Sequence, residues 1–212
     1  MRIVCISDTH GWHRKLALPE GDVLIHAGDI CRERKTAREL LEDFDDWLGE
    51  QPFATRIVVA GNHDVPFEET QTPHALLKNA RYLQDEEITI DGLRFYGTPW
   101  QPWFYDWAFN WPIDESLMPI WNQIPSHIDV LITHTPPKFV LDRTWKGKHA
   151  GCPELTSALE RIQPRLHIFG HIHESAGGAW NAHSRFVNAC SAGRHIYGVL
   201  QPSVIDLAPL QA

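Results

Sequence analysis

Five short apolar stretches, each running directly into polar residues, constrain this chain more than any other feature of it. Arg2-Ile3-Val4-Cys5-Ile6-Ser7 leads to Asp8, Val23-Leu24-Ile25-His26-Ala27-Gly28 to Asp29, and Arg56-Ile57-Val58-Val59-Ala60-Gly61 to Asn62-His63-Asp64. Further on, Ile128-Asp129-Val130-Leu131-Ile132-Thr133 leads to His134 and Arg165-Leu166-His167-Ile168-Phe169-Gly170 to His171. Continuously apolar runs of this length read as strands covered on both faces. Helical spacing of apolar residues falls between them at residues 36–48, more weakly at 73–80, and at 153–162, where Pro164 stops the pattern. Residues 87–96, centred on Asp91-Gly92, read as a β-hairpin, and 186–189 and 204–207 as further strands. The expectation is an α/β chain forming one domain over residues 1–212, with two sheets face to face and helices outside. Several strands then end at one rim, which in open α/β sheets is where ligands bind.

Composition narrows the function. The formal net charge is -8 and no basic run interrupts it, which argues against an extended nucleic-acid interface. A small phosphate held by metal ions escapes that objection. No apolar run is long enough to span a bilayer, and the first residues lack the pattern of a secretory signal. The cysteines at 5, 31, 152 and 190 form no C-x-x-C pair, so neither a zinc ribbon nor a disulfide framework is indicated and a cytoplasmic location is expected. Thirteen histidines against two methionines is a surplus whose meaning depends on position.

The positions are the strand ends. Asp8 and His10 alternate as D-x-H, Asp29 follows a glycine and can bridge two ions, Asn62 offers an amide oxygen, and His134, His171 and His173 complete two mixed nitrogen and oxygen shells. The absence of thiolates points to two divalent ions among Mn, Fe, Zn, Co and Ni, with Mn favoured, rather than to a closed structural zinc site. Two such ions polarise a phosphoryl group and activate water for in-line attack. His63 is then the general acid for the leaving oxygen, with Asp64 orienting its ring. Each motif alone has a plainer reading: D-x-H as a turn, Gly28-Asp29 as a helix cap, Asn62-His63-Asp64 as a capped turn, His171-Ile172-His173 as a strand. Five in order, each ending an apolar strand, favour the metal reading.

Asp8-Thr9-His10, Gly28-Asp29, Gly61-Asn62-His63-Asp64, His134 and Gly170-His171-Ile172-His173 together resemble the calcineurin-like metallophosphoesterase superfamily. The resemblance implies a four-layer αββα sandwich. It also implies one metal on Asp8, His10 and His173, a second on Asn62, His134 and His171, Asp29 between them, and His63 as catalytic histidine. Thr98-Pro99-Trp100-Gln101-Pro102-Trp103-Phe104, Thr133-His134-Thr135-Pro136-Pro137 and Phe186-Val187-Asn188-Ala189 are similar to the metallophosphoesterase-domain-containing branch, phosphodiesterases of cyclic nucleotides and related small diesters. Members of that branch with glycine for the first histidine of the last motif are weakly active, whereas His171 stands here. Ile30-Cys31-Arg32-Glu33 after Asp29 departs from the Val-Asp-Arg-Gly of the Ser/Thr protein phosphatases.

The function expected is hydrolysis of small phosphodiesters or nucleotides. A phosphomonoesterase of similar mechanism and a non-catalytic scaffold, such as the retromer subunit of this superfamily, are the alternatives. The aromatic, proline-broken segment 100–111 reads either as a packed loop over a sheet edge or as a base-stacking platform, with Trp100 and Trp103 as the expected substrate contacts beside Asn62 and His63. Arg143, Lys146 and Lys148 read as a solvated loop, Cys31 as a small buried filler. His13, His26, His74, His127, His149, His167, His183 and His195 are taken as structural or exposed.

Overall fold

In the computed structural model, which describes residues 1–192 and 201–208, the apolar runs become strands. In chain order the elements are β1 (Arg2–Ile6), β2 (Val23–Ala27), α1 (Ala37–Glu50), β3 (Thr55–Val59), α2 (Val65–Glu69), β4 (Arg81–Tyr82), β5 (Glu86–Ile90) and β6 (Leu93–Thr98). They continue as β7 (Gln101–Pro102), β8 (Asn110–Trp111), α3 (Met118–Trp121), β9 (Val130–Thr133), α4 (Pro153–Ile162), β10 (Leu166–Phe169), β11 (Gly177–Trp180), β12 (Arg185–Asn188) and β13 (Ser203–Asp206).

One sheet has the order β13-β1-β2-β3-β4, parallel except for β13; the other has the order β11-β12-β10-β9-β6-β5, parallel except for its two edge strands. Strand alternation explains why the runs are apolar throughout. In β1, Ile3 and Cys5 enter the core between the sheets, where they meet Phe95, Val130 and Ile168 of the second sheet. Val4 and Ile6 point the other way, onto Phe44, Trp47 and Leu48 of α1. In β9, Val130 and Ile132 face inward while Leu131 faces Trp121 of α3 and Leu155 and Ile162 of α4. The result is the expected four-layer αββα sandwich with three apolar layers between four structural ones.

The helices follow local chemistry. In α1 the buried residues Ala37, Leu41, Phe44 and Leu48 lie along one stripe. Pro153 opens α4, the Cys152 thiol accepts the Leu155 N–H at 3.4 Å, and Gln163 closes it in the left-handed region. Residues 73–80 correct the sequence reading: only Pro73–Leu76 forms a 3₁₀ turn. The backbone N–H groups of Lys78 and Asn79 donate instead to the Asp45 carboxylate of α1, at 3.0 and 2.9 Å, so the segment is pinned to that helix rather than to itself. The hairpin forms as expected, with Asp91 (φ 47°) and Gly92 (φ 80°) both left-handed, the pattern a two-residue turn needs.

Both sheets send parallel strands to the same rim, and the backbone ties them there. Ser191 N donates to Ser7 O at 2.7 Å, and Gly170 N to His134 O at 3.0 Å. Among the described residues no helix is long and apolar enough to cross a membrane. The four cysteines are buried free thiols.

Candidate metal centre

Side chains from all five strand ends meet at this rim. Asp29 Oδ2 lies 3.4 Å from His134 Nε2 and 3.9 Å from the Nε2 atoms of His10 and His63. Asp8 Oδ1 is 3.2 Å from His173 Nε2, which is itself 3.4 Å from His10 Nε2, and Asn62 Oδ1 is 3.0 Å from His134 Nε2. His171 joins Asp29 and His134 in a group whose ligand atoms all lie within 4.8 Å of one another. The seven ligands read from the sequence and His63 therefore occupy one cluster.

Holding them so close requires unusual backbone. Asp8 (φ 54°), His10 (φ 44°), Asp29 (φ 60°) and His171 (φ 67°) all adopt the left-handed region, which non-glycine residues avoid. A ladder of main-chain bonds supports the first three: Asp8 N to Gly28 O at 2.8 Å, His10 N to Asp29 O at 3.1 Å and Gly11 N to Ile30 O at 2.9 Å. Gly61 permits a close approach, since a Cβ there would sit 2.3 Å from Asp29 Oδ1 and 2.5 Å from Asp29 N.

Hydrogen bonds to carbonyls fix the imidazole tautomers. His10 Nδ1 meets Cys31 O, His134 Nδ1 meets Ala27 O, and His63 Nδ1 meets Arg32 O, each at 2.8 Å. A carbonyl only accepts, so each ring carries its hydrogen on Nδ1 and turns Nε2 toward the cluster. There the Nε2 lone pairs face carboxylate and amide oxygens, an arrangement of acceptors that needs a shared proton or cation. In the metal-free protein a proton serves: burial opposes charge on His134, but Asp29 and Asp8 outweigh it and raise its pKa to about 9. The partner effect holds Asp29 well below the usual carboxylate range despite burial, and His173 raises its own pKa by bonding Asp8. His10 and His171 shift down because burial dominates, His171 to about 3.

This donor set fits two borderline divalent cations: nitrogen and oxygen donors, a shared carboxylate, and imidazoles pre-oriented by carbonyl bonds. Asn62 Oδ1 faces the cluster, as suits an amide oxygen that serves a cation, while its buried Nδ2 finds no hydrogen-bond partner among the described residues. Cys190, which the sequence reading passed over, brings its thiol into a group with Asp8 and His173, and burial keeps that thiol protonated.

Three expectations change. Asp64 does not orient His63; its carboxylate accepts the backbone N–H groups of Asp29, Cys31 and Gly61, each at 2.8 Å, and so clamps the two ligand loops together. Trp100 lies outside the cleft, because its Nε1 donates to Asp85 at 2.7 Å and its ring packs on Phe109 and Trp111. Trp103 lines a neighbouring cavity rather than the metal cleft. The residues that do line the cleft, of about 260 Å³, besides the cluster are Phe104, Trp107, Trp145 and Glu174. Trp107 sits with its ring centroid 4.1 Å from that of His63. Segment 100–111 carried the signal for Phe104 and Trp107, but which rings point inward is set by a tertiary bond, Ala108 N to Asn62 O at 3.0 Å.

The flanking residues stay outside. Arg143, Lys146 and Lys148 do not line the cleft. Cys31 is buried and acts through its backbone, donating to Asp64 and accepting from His10. His26 and His167 are buried within their strands and pair with Thr9 and Thr133 at 2.9 Å each. His195 lies outside the described residues.

A profile of calcineurin-like phosphoesterases matches residues 1–175. Over 97% of this chain and 71% of its own length, human metallophosphoesterase domain-containing protein 1 is 41% identical. The UPF0046 protein K07C11.7 of Caenorhabditis elegans is 38% identical over 92% of this chain and 72% of its own length. Among solved structures, the phosphopantetheinyl hydrolase of Mycobacterium tuberculosis superposes with a TM-score of 0.64 at 16% identity, covering 99% of this chain and 97% of that one, a likeness of fold.

Proposed function

The chain belongs to the calcineurin-like phosphoesterase family, and from that premise we propose that it is a metal-dependent phosphodiesterase of small diesters such as cyclic nucleotides. Phosphoester hydrolysis with divalent metals is the family's chemistry; the preference for diesters is read from the cleft. The observation that carries it is the lining: among the described residues no lysine or arginine forms it. A diester brings one negative charge to the metals, whereas a monoester brings up to two and gains from a cationic side chain that the described lining does not offer.

Asp8, His10 and His173 would hold one ion and Asn62, His134 and His171 the other, with Asp29 placed to contribute to both. Mn²⁺ is the first ion to test, since the donors are nitrogen and oxygen without thiolate. The ions, when bound, supply Lewis acidity and activated water. The chain's own residues do the rest. The Ala27 and Cys31 carbonyls keep His134 and His10 facing the site. His63, with Nδ1 spent on Arg32 O, presents Nε2 to the cleft as the proton donor for the leaving oxygen. The buried free thiols suit a reducing cytoplasm.

A panel of 2′,3′- and 3′,5′-cyclic nucleotides, dinucleotides and monoesters assayed with Mn²⁺ tests the reading; turnover of monoesters alone reverses it. His63→Asn should keep both metals by elemental analysis and lose about 10²- to 10⁴-fold in kcat. Wild-type protein that binds no metal would instead support a scaffold.

A further inference from the structure

Beside the metal cleft lies a second cavity of about 270 Å³ whose walls include Trp103, Phe104, Thr135 and Trp145. It shares Phe104, Trp145, His171 and Glu174 with the cleft, so the two are lobes of one opening. Trp145 stands where they join and is 66% exposed, a large apolar surface left to solvent.

The position of that indole is built rather than incidental. Gly147 N donates to Thr144 O at 2.8 Å and Thr144 N to Lys148 O at 2.9 Å, closing a tight turn with Trp145 at its tip. Gly147, at φ 75°, supplies the left-handed residue the turn needs. At the base of the turn the buried Asp142 carboxylate accepts the N–H groups of Phe139 and Gly151, each at 3.0 Å, and His149 Nδ1 at 2.6 Å. Ser175 Oγ donates to Arg143 O at 2.8 Å, which ties the turn to the segment that carries His173. These bonds fix the backbone that carries the exposed ring and so set where the ring stands.

The walls also state what kind of group enters. Among the described residues neither lobe is lined by lysine or arginine, and Glu174 belongs to both. A second phosphate is therefore disfavoured in the side lobe, whereas a flat group without negative charge gains two or three aromatic faces. With the phosphate on the metals, the side lobe is left for the organic part of the ester. We propose that Trp145 is a specificity-determining residue whose indole stacks the base of a nucleoside phosphodiester in this side lobe. The proposal rests on the diester reading above and deepens it.

Two substrates with the same five-membered cyclic phosphate separate base recognition from chemistry: 2′,3′-cyclic AMP and glycerol 1,2-cyclic phosphate, which has no base. For the Mn²⁺-loaded protein, Trp145→Ala should raise KM for the nucleotide about tenfold or more, with kcat held within twofold. The glycerol diester should be unaffected, and Trp145→Phe should recover most of the loss. Equal losses on both substrates, or none on either, overturn the proposal. Calorimetric binding of adenosine 5′-monophosphate against ribose 5-phosphate supplies a readout that needs no turnover. Wild type should prefer the nucleotide about tenfold and Trp145→Ala should not; a preference that survives the substitution refutes the lobe. If wild type hydrolyses neither diester yet shows this Trp145-dependent preference, the diester reading fails and the side lobe stands.

Discussion

Metal loading should be limited by a proton on His134. With Nδ1 bonded to Ala27 O and Nε2 facing Asp29, this ring takes a proton whenever no cation is present, and its pKa is raised to about 9. A metal must displace that proton. At pH 7 the competition weakens apparent affinity by roughly two decades, about 2.7 kcal/mol, and each pH unit up to about 9 recovers one decade. His10 and His171 are shifted down and add nothing in this window, whereas His173, shifted up, steepens the slope. Chelator-buffered Co²⁺ titrations at pH 6.5, 7.5 and 8.5 measure the slope. Calorimetry in buffers of different ionisation enthalpy counts the protons released. Affinity constant within threefold across that range, with no proton release, would refute the assignment of His134 as a ligand. The same shift has a stability sign. A histidine whose folded pKa exceeds its unfolded value stabilises fully below the unfolded pKa, and that stabilisation is lost as pH rises through the folded one. The metal-free protein should therefore lose about 3 kcal/mol of denaturant stability between pH 6.5 and 9.5. The depression of Asp29 is the same ion pair viewed from its partner and is not added again.

Other perturbations isolate other parts of the site. Asp64→Asn keeps the shape but replaces one of two acceptor oxygens with NH₂, which then faces Cys31 N or the pair Asp29 N and Gly61 N; a loss of about 1–3 kcal/mol, or roughly 2–12 °C in Tm, is expected with chelator present, and wild-type stability would show the clamp to be dispensable. Gly61→Ala drives a Cβ against Asp29, so metal content should fall below one ion per chain by elemental analysis; full loading would mean the loops yield. His26 and His167 are both pushed down by burial to about 3, so below pH 6.5 each favours unfolding by about 1.4 kcal/mol per pH unit. The acid limb of the stability curve should be correspondingly steep and should flatten in His167→Gln; an unchanged limb would place the acid sensitivity elsewhere.

The parts of this molecule legible in the sequence are those where burial writes a pattern. β1, β2, β3, β9 and β10 are apolar on both faces because each lies between two cores, and α4 is bounded by a proline on either side. The candidate ligands were legible because they end those strands. Residues 73–80 misled because apolar spacing there reflects packing against α1, while the backbone bonds go to Asp45. The carbonyls of Ala27, Cys31 and Arg32 that set the imidazole tautomers have no side-chain signature at all. The placement of Trp107 depends on the bond from Ala108 N to Asn62 O, and that of the Trp145 turn on the bond from Ser175 Oγ to Arg143 O, both between residues distant in the chain, so the residue types were visible and their direction was not.

Four of the ligand positions are left-handed, and at roughly 1–2 kcal/mol each for non-glycine residues the total approaches the whole net stability of an ordinary domain. Aspartate tolerates this conformation better than histidine, because its short carboxylate bonds nearby N–H groups; Asp29 Oδ1, for instance, accepts His63 N at 2.8 Å. His171 has no such local compensation from its ring, and its N–H is taken by Asp8 at 3.0 Å whatever its side chain. Glycine would therefore be the stable choice at 171, and histidine is kept there for what its ring binds. It follows that His171→Gly should leave the metal-free protein as stable as wild type or raise its Tm by about 2–4 °C, while metal content drops by one ion and activity falls. Thermal unfolding in chelator together with elemental analysis decides it: a clear fall in metal-free Tm would mean that the His171 ring is part of the packing, and that the strain argument is wrong.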